Sequence, residues 1–435
     1  MKEIQLTITA LSPLAIGRKK PGSVSEAGDY IPGSVIRGAI ASVIIQQSRP
    51  QNPDLTVTNN DFQTLFLSEN VAIFRNAYPA PSAQDAEVRV LPATALSSKT
   101  NPGFKPKGYG VFDTLIDRFC AESYGYPYDP NCPQDGGRVE PYKGFYSKQN
   151  DKYCSHSVTK RLLTRVGINR RRATAEEQIL YSLEVLNETQ EQKPMVYRSA
   201  IMVENDHLAE LLKQFLNYNS QNFRLGGAAS RGLGKVKIEA RVCPPSQKSD
   251  VGAKHLGDNL SAKPKLYNPN ALPSDSLGTN TDIATSIEQF NIALQQRWQK
   301  WGELFGNLPL EERTYFTLGL QSDAILTENW RRTTVISPEM LQQFTGINDL
   351  TLHVAYSSYD YVSGWNSAWG LLKDVDLITN KGGVYLFSTI VDKTKDWIQA
   401  LEKLAREGVG DRIGEGFGQI EVCSEFHTVF RENAV

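Results

Sequence analysis

The chain of 435 residues is poor in cysteine and in histidine, with five of each. An odd, sparse set of thiols excludes the disulfide framework of a small secreted scaffold. The five histidines (His156, His207, His255, His353 and His427) form no HExxH, and no nucleophile elbow is present. No apolar run approaches the roughly 18 residues of a membrane span. The opening MKEIQLTITA lacks the basic-then-apolar layout of a signal peptide, so a cytoplasmic protein is expected. Net charge is only −1, from 47 lysines plus arginines against 48 acids. Any nucleic-acid binding must therefore come from local basic patches and not from the overall field. What is present is an ordinary globular composition, 40 % hydrophobic and 22 % charged, long enough for two or three domains.

An internal repeat organises the chain. RLGGAASRGLGKVKIEA at 224–240 lies over EGVGDRIGEGFGQIEVC at 407–423, so that Arg231-Gly232-Leu233-Gly234 matches Glu415-Gly416-Phe417-Gly418 at an offset of 184. Upstream of these loops stand two related apolar strands, VYRSAIMV at 196–203 and VYLFSTIV at 384–391. Helical stripes lie between strand and loop: Leu208, Leu211, Leu212 and Phe215 in one copy, Trp397, Leu401 and Leu404 in the other, with Asp206 placed to cap the first. Leu6, Ile8 and Ala10 alternate with polar residues, as do Phe316, Leu318 and Leu320, so each half also opens on a half-buried strand. That layout predicts an α+β fold of two ferredoxin-like (split β-α-β) domains, each ending in a glycine-rich loop. The expected division is a first domain at 1–243 with a Cys- and Tyr-rich insert at about 100–157, a linker at 244–283, a connecting helix at 284–310 and a second domain at 311–435. The linker holds five prolines and one aromatic, too few apolar groups for a core. In the helix, Ile283, Ile287, Phe290, Leu294, Trp298, Trp301 and Phe305 make one apolar stripe.

Four stretches offer chemistry. Ile31-Pro32-Gly33-Ser34 reads as a turn into a helix, with Ser34 as cap and Arg37 one turn in, an arrangement that serves equally as a capped helix or an anion site. Residues 159–172 carry six basic side chains (Lys160, Arg161, Arg165, Arg170, Arg171 and Arg172) and no acid, which suits a phosphate backbone, or a solvated charged face. Alternation of Leu162, Thr164, Val166 and Ile168 predicts that this patch rides partly on a strand. The glycine loops, flanked by Arg231 and Arg412, can form backbone anion nests. Cys120, Cys132, Cys154 and His156 fall within 37 residues and would satisfy tetrahedral zinc, although the paired CxxC knuckles are missing and ordinary free thiols remain the alternative. Asp29 is the one suggestively placed acid, between GRKKPGSVSEAG and the Ile-Pro-Gly turn.

Taken together, the LSPLAIG segment after the first strand, Ile31-Pro32-Gly33-Ser34-x-x-Arg37-Gly38, RVGINRRRATAEEQILYSLEVL and the GxGxxxGxGFGxI loop at Gly408–Ile420 resemble the RAMP superfamily of CRISPR effector proteins. Gly364-Trp365-Asn366 and Gly382-Gly383-Val384-Tyr385-Leu386-Phe387 resemble the large double-RAMP subunit of type III-D-like complexes. The resemblance implies a subunit that grips the guide RNA (crRNA) backbone, paired through that guide with target RNA. It would work beside a large polymerase-like subunit and other RAMP backbone subunits, in antiviral defence. Implied RNA-binding positions are Arg18, Lys19, Ser34, Arg37, Lys160, Arg161, Arg165, Asn169, Arg170, Arg171, Arg172, Arg231, Gly232, Gly234, Arg412, Gly414, Gly416 and Gly418. Tyr142 and Tyr146 are expected to stack on bases. The competing expectation is a Mg²⁺-dependent target-RNA endoribonuclease using Asp29, in a loop shorter than cleaving relatives carry. A guide-processing enzyme is disfavoured, because no histidine precedes His156. A doubled domain serving only protein contacts would leave the arginines of 159–172 without a use.

Overall fold

A computed structural model describes residues 1–18, 26–48, 61–68, 71–81, 87–169, 174–242, 282–366, 371–390 and 396–435. Lys19, Arg170, Arg171, Arg172, Cys243 and most of the expected linker lie outside the described residues. In chain order the first half contains β1 (Lys2–Ala10), α1 (Gly33–Ser48), α2 (Asp61–Phe66), β2 (Ala72–Phe74) and α3 (Leu115–Ser123). It continues with β3 (Lys160–Asn169), β4 (Thr174–Leu186), β5 (Val196–Val203), α4 (Asp206–Tyr218) and β6 (Val236–Val242). Four of these strands form an antiparallel sheet in the order β6-β1-β5-β2. Ile4, Leu6 and Ile8 are fully buried, because successive side chains of a strand alternate between faces and this set meets the helices.

The second half repeats the plan. After α5 (Ile283–Phe305) come β7 (Thr314–Leu320), the hairpin β8 (Leu326–Glu328) and β9 (Arg331–Thr333), α6 (Pro338–Thr345) and β10 (Thr351–Tyr356). Then follow β11 (Tyr359–Val362), β12 (Asp376–Thr379), β13 (Val384–Thr389), α7 (Asp396–Glu407) and β14 (Ile420–Val422). Its sheet runs β10-β13-β7-β14, the same order with the same helix placements, since β7, α6, β10, β13, α7 and β14 correspond to β1, α1, β2, β5, α4 and β6. The architecture is α+β.

Two helix starts differ from the sequence expectation. Asn205, not Asp206, caps α4: its side chain accepts from the amides of His207 and Leu208 at 2.8 and 3.2 Å. α1 begins at Gly33, so Ser34 lies inside the first turn. The Gly33 amide is satisfied by Asn76 Oδ1 at 2.8 Å, from 43 residues away.

α5 is more than a connector. Ile287, Phe290, Leu294 and Trp298 are buried in the core of the second half, each contributing about 1.5–3 kcal/mol of apolar transfer. Asn291 docks the helix on β7, donating to the Tyr315 carbonyl at 2.7 Å and accepting the Tyr315 amide at 2.9 Å. The inserted segment also belongs, by its packing, to the second half. Leu115, Ile116, Phe119 and Cys120 of α3 share a core with Tyr315 and Phe316, while Phe104, Phe112 and Tyr146 pack on Phe426, Val429 and Ala434. Asp117 of α3, fully buried, accepts from both Arg297 Nη2 at 2.8 Å and Trp301 Nε1 at 3.1 Å, which ties α3 to α5.

Candidate nucleic-acid interface

β3 and β4 pair antiparallel from Lys160↔Leu186 outward to Ile168↔Ala175 and Asn169↔Thr174, with a register shift between Val166 and Ile168. Ten residues of strand at about 3.3 Å each make an arm of roughly 30 Å. Its base is fixed by an apolar cluster of Leu163, Leu183 and Val185 with Ala15, Ala228 and Leu233. Leu163 therefore faces inward, and Leu162 is 60 % exposed. Glu184 accepts the Ala27 amide at 2.6 Å, fastening the arm to the short hairpin of Gly17–Arg18 with Glu26–Ala27.

The arm's basic residues are not equivalent. Lys160 Nζ contacts Asp29 Oδ1 at 2.7 Å and donates to the Ala27 carbonyl at 2.7 Å, while Arg161 pairs with Glu188 at 3.0 Å. Both are partly neutralised at the base. The Asp29 carboxylate consequently faces an ammonium group, and among the described residues no three of His, Cys, Asp and Glu converge where a metal ion could sit. The residues around Asp29 thus do not fit a divalent cation unless Lys160 first lets go. Arg37 is also engaged within the protein, donating to the Phe66 carbonyl at the end of α2.

The four expected zinc ligands are dispersed. Cys120, on the buried face of α3, lies in the core, where burial pushes its thiol up to about 12. Cys132 is buried in the turn that its amide closes on the Gly137 carbonyl. Cys154 is exposed on the strand Lys152–His156, and His156 Nε2 bonds Ser147 Oγ at 2.8 Å. Tyr146 is 1 % exposed, so it cannot stack on a base. Among the exposed aromatics that sequence reading missed is Trp330, fully exposed at the β8–β9 turn beside Arg331, with Asn329 and Trp330 both at positive φ. The Asn-Trp-Arg turn between two short strands was its only signal.

The two glycine loops have one backbone and two surroundings. Ala15↔Gly227 and Ile325↔Asp411 are matching bridges, at the offsets of the sequence repeat. Ala228 (φ 56°, ψ 30°) and Arg412 (φ 56°, ψ 32°) each open a short 3₁₀ turn closed by a glycine, Gly232 or Gly416, in the left-handed region. Gly234 and Gly418 are needed for the loops themselves, because a Cβ would fall 2.6 Å from the Leu225 carbonyl oxygen and 1.8 Å from that of Val409. The outer faces differ. A Cβ on Gly232 would meet nothing within 4 Å, whereas one on Gly416 would lie 2.7 Å from Asn76 Oδ1 and 2.8 Å from the Phe74 carbonyl oxygen. The second loop is pressed onto the start of α1 and onto β2. Arg412 is bound to Glu415 at 2.7 Å and to Asp376 at 2.8 Å, and Lys373 reaches Glu415 at 3.1 Å. Of the positions expected to touch RNA, Gly414 and Gly416 lie at the joint with the first half, against Ala72, Phe74 and Asn76, while Arg412 and Gly418 are engaged within the second half, by Asp376 and Glu415 and beside Val409. Tyr30 extends that joint, donating to Asp323 at 2.9 Å, as do the Val90 amide to Gln321 Oε1 at 2.8 Å and Arg89 to Glu421 at 2.9 Å.

The model of the RAMP superfamily matches residues 7–237, a stretch that contains α1, β2, the arm, β5, α4 and the first glycine loop. The chain belongs to the RAMP superfamily. No curated protein matched it in a sequence comparison. Solved structures similar to it include a chain of the type III-B Cmr-beta complex bound to cognate target RNA and AMPPnP, at 11 % identity and TM-score 0.39, covering 88 % of this chain and 86 % of that one. Another is oligomeric Cmr4 from Pyrococcus furiosus, at 12 % identity and TM-score 0.24, covering 56 % of this RAMP chain and 99 % of its own.

Proposed function

We propose that this RAMP protein is a guide-RNA-gripping subunit of a type III CRISPR ribonucleoprotein, built from two ferredoxin-like halves and acting in the cytoplasm in RNA-guided antiviral defence. The observation that carries the reading is the basic run at 159–172 of a near-neutral chain, whose Lys160, Arg161 and Arg165 lie on a two-stranded antiparallel arm separate from the main sheet. Lysine and arginine bind phosphates without reading bases, which suits a subunit that must accept any guide. Sequence is then read by pairing between guide and target RNA. Arg165, Asn169 and Arg170–Arg172, together with Arg18 and Lys19, are the proposed backbone contacts. Trp330 with Arg331 supplies a sequence-tolerant stacking platform. Other effector subunits, including a large polymerase-like one, are the proposed partners.

The reading is non-catalytic. Asp29 would have to shed Lys160 before it could hold Mg²⁺, and among the described residues no three of His, Cys, Asp and Glu converge to hold one. The test is a purification of the tagged chain with its bound RNA. Short RNAs with a constant repeat-derived end are expected. Replacing Arg170, Arg171 and Arg172 together by alanine should weaken RNA retention and reduce the salt dependence of binding by about 2 in log–log slope, at ~0.7 per lost phosphate contact. Trp330→Ala should cost about 1–3 kcal/mol of RNA affinity. Target RNA should remain uncut with Mg²⁺, and metal-dependent cuts abolished by Asp29→Ala would replace this reading with the endoribonuclease.

A further inference from the structure

We infer that the groove between the last turns of α5, the loop at 128–131 and the turn Arg431–Asn433 is the docking site for an acidic segment of another protein, one with carboxylates on either side of a large apolar side chain. No residue of the arm or of either glycine loop takes part, so the inference goes beyond the RNA-gripping reading and does not depend on it. α5 carries two stripes. Ile287, Phe290, Leu294 and Trp298 face the core, while Arg297, Lys300, Trp301 and Leu304, spaced by three and four residues, line the groove along the neighbouring face. The groove has a volume of about 480 Å³, and past Asp129 and Asn131 it meets a second hollow of about 420 Å³ lined also by Arg138.

The floor is fixed by its own hydrogen bonds. Asp117 is fully buried and accepts from Arg297 Nε at 2.5 Å, Arg297 Nη2 at 2.8 Å, Trp301 Nε1 at 3.1 Å and the Tyr128 hydroxyl at 3.2 Å. Arg297 also holds Glu432, so these charges satisfy one another. The rim does not balance in this way. Lys300, Arg431 and Arg138 stand there against one acid, Asp129. Lys300 acts on Glu432 and Arg138 on Glu140 only at longer range, and Arg297 and Lys99 already hold those acids. Arg431 is steadied by the Asn131 carbonyl, which accepts from its Nε and leaves its charge uncancelled.

Beside these cations the surface is apolar. Leu304 is 76 % exposed, and the exposed rings of Phe305 and Tyr126 lie 4.3 Å apart, with Trp301 stacked on Phe305. Single exposed apolar side chains are ordinary, whereas a contiguous group rimmed by charge marks a contact surface. Charge complementarity selects carboxylates for the rim and an apolar anchor for the patch. RNA would supply anions, but the most exposed member of the patch is aliphatic and gives a base nothing to stack on. A protein segment is the better match.

The test uses the full-length chain purified with its RNA. The probe is a short fluorescein-labelled peptide with a central Phe-Leu pair flanked by glutamates. Anisotropy should show it bound about tenfold more tightly than the same peptide with lysines in place of the glutamates. Lys300→Glu with Arg138→Glu, both exposed side chains, should abolish that preference, and Leu304→Asp should weaken the glutamate peptide about tenfold while RNA stays bound. In the complex from its host, p-benzoylphenylalanine at position 304 should crosslink to an acidic segment of a different protein. Equal or absent binding of the two peptides would overturn the inference, as would variants that bind like the wild type. Crosslinks to RNA alone, to a second copy or to a segment without acids would do the same. A chain that binds the glutamate peptide in this way but carries no RNA would overturn the RNA-gripping reading and leave this one standing.

Discussion

In the second glycine loop Gly416 is buried against Asn76 and a strand carbonyl, and its flanking Arg412 is held by two carboxylates. In the first loop a Cβ on Gly232 would meet nothing within 4 Å, and the loop lies beside the arm that carries Lys160, Arg161 and Arg165. Both loops share backbone angles within about 10° at the residues that open and close their turns. A glycine-rich loop of this kind is thus a shape, and the surface opposite decides its use. The second loop has become an internal joint, which frees the first to face outward.

The largest test of that contrast is steric. Gly416→Ala or Gly33→Ala forces a Cβ into backbone and should destabilise the protein by about 3 kcal/mol in denaturant unfolding, as overpacked sites do. Gly232→Ala adds only the left-handed strain of an L-residue, about 1 kcal/mol. Equal losses would break the comparison. Next in size is Arg412→Ala, which leaves Asp376 only Arg332 and Glu415 only Lys373 as partners and should cost about 1.5 kcal/mol. Asn76→Ala removes a helix cap and should cost about 1 kcal/mol, read as a lower denaturant midpoint with an unchanged slope.

The smallest effect is electrostatic. Burial alone would push the Glu415 carboxyl up, but Arg412 and then Lys373 outweigh it and hold the group below the ordinary glutamate range. A carboxylate depressed in the folded state stabilises above its unfolded value, near 4.3, and that contribution is lost as pH falls through the depressed value. The joint should therefore loosen in acid below about pH 4, and Glu415→Gln should flatten that part of the pH–stability profile.

Much of this was legible in the sequence. Alternation placed β1 and β7, the apolar stripe placed α5, and the two glycine loops fell where the repeat put them. Periodicity failed where partners are distant in the chain. Asn76 caps α1 from 43 residues away, so the local cap signal at Ser34 misled. Asp29 and Glu188 neutralise Lys160 and Arg161 from outside the basic run, which therefore read as more exposed charge than it is. The insert looked like part of the first half because it interrupts it. Only the packing of Phe119 on Tyr315 and of Tyr146 on Phe426 assigns it to the second half. Spacing suggested a metal site at Cys120, Cys132, Cys154 and His156, but the two buried thiols lie in different places from the exposed one.

Backbone amide exchange across the two loops of the free protein tests the central contrast most directly. The joint predicts slow exchange at 412–418, with 228–234 fast. Equal protection of both loops would contradict it.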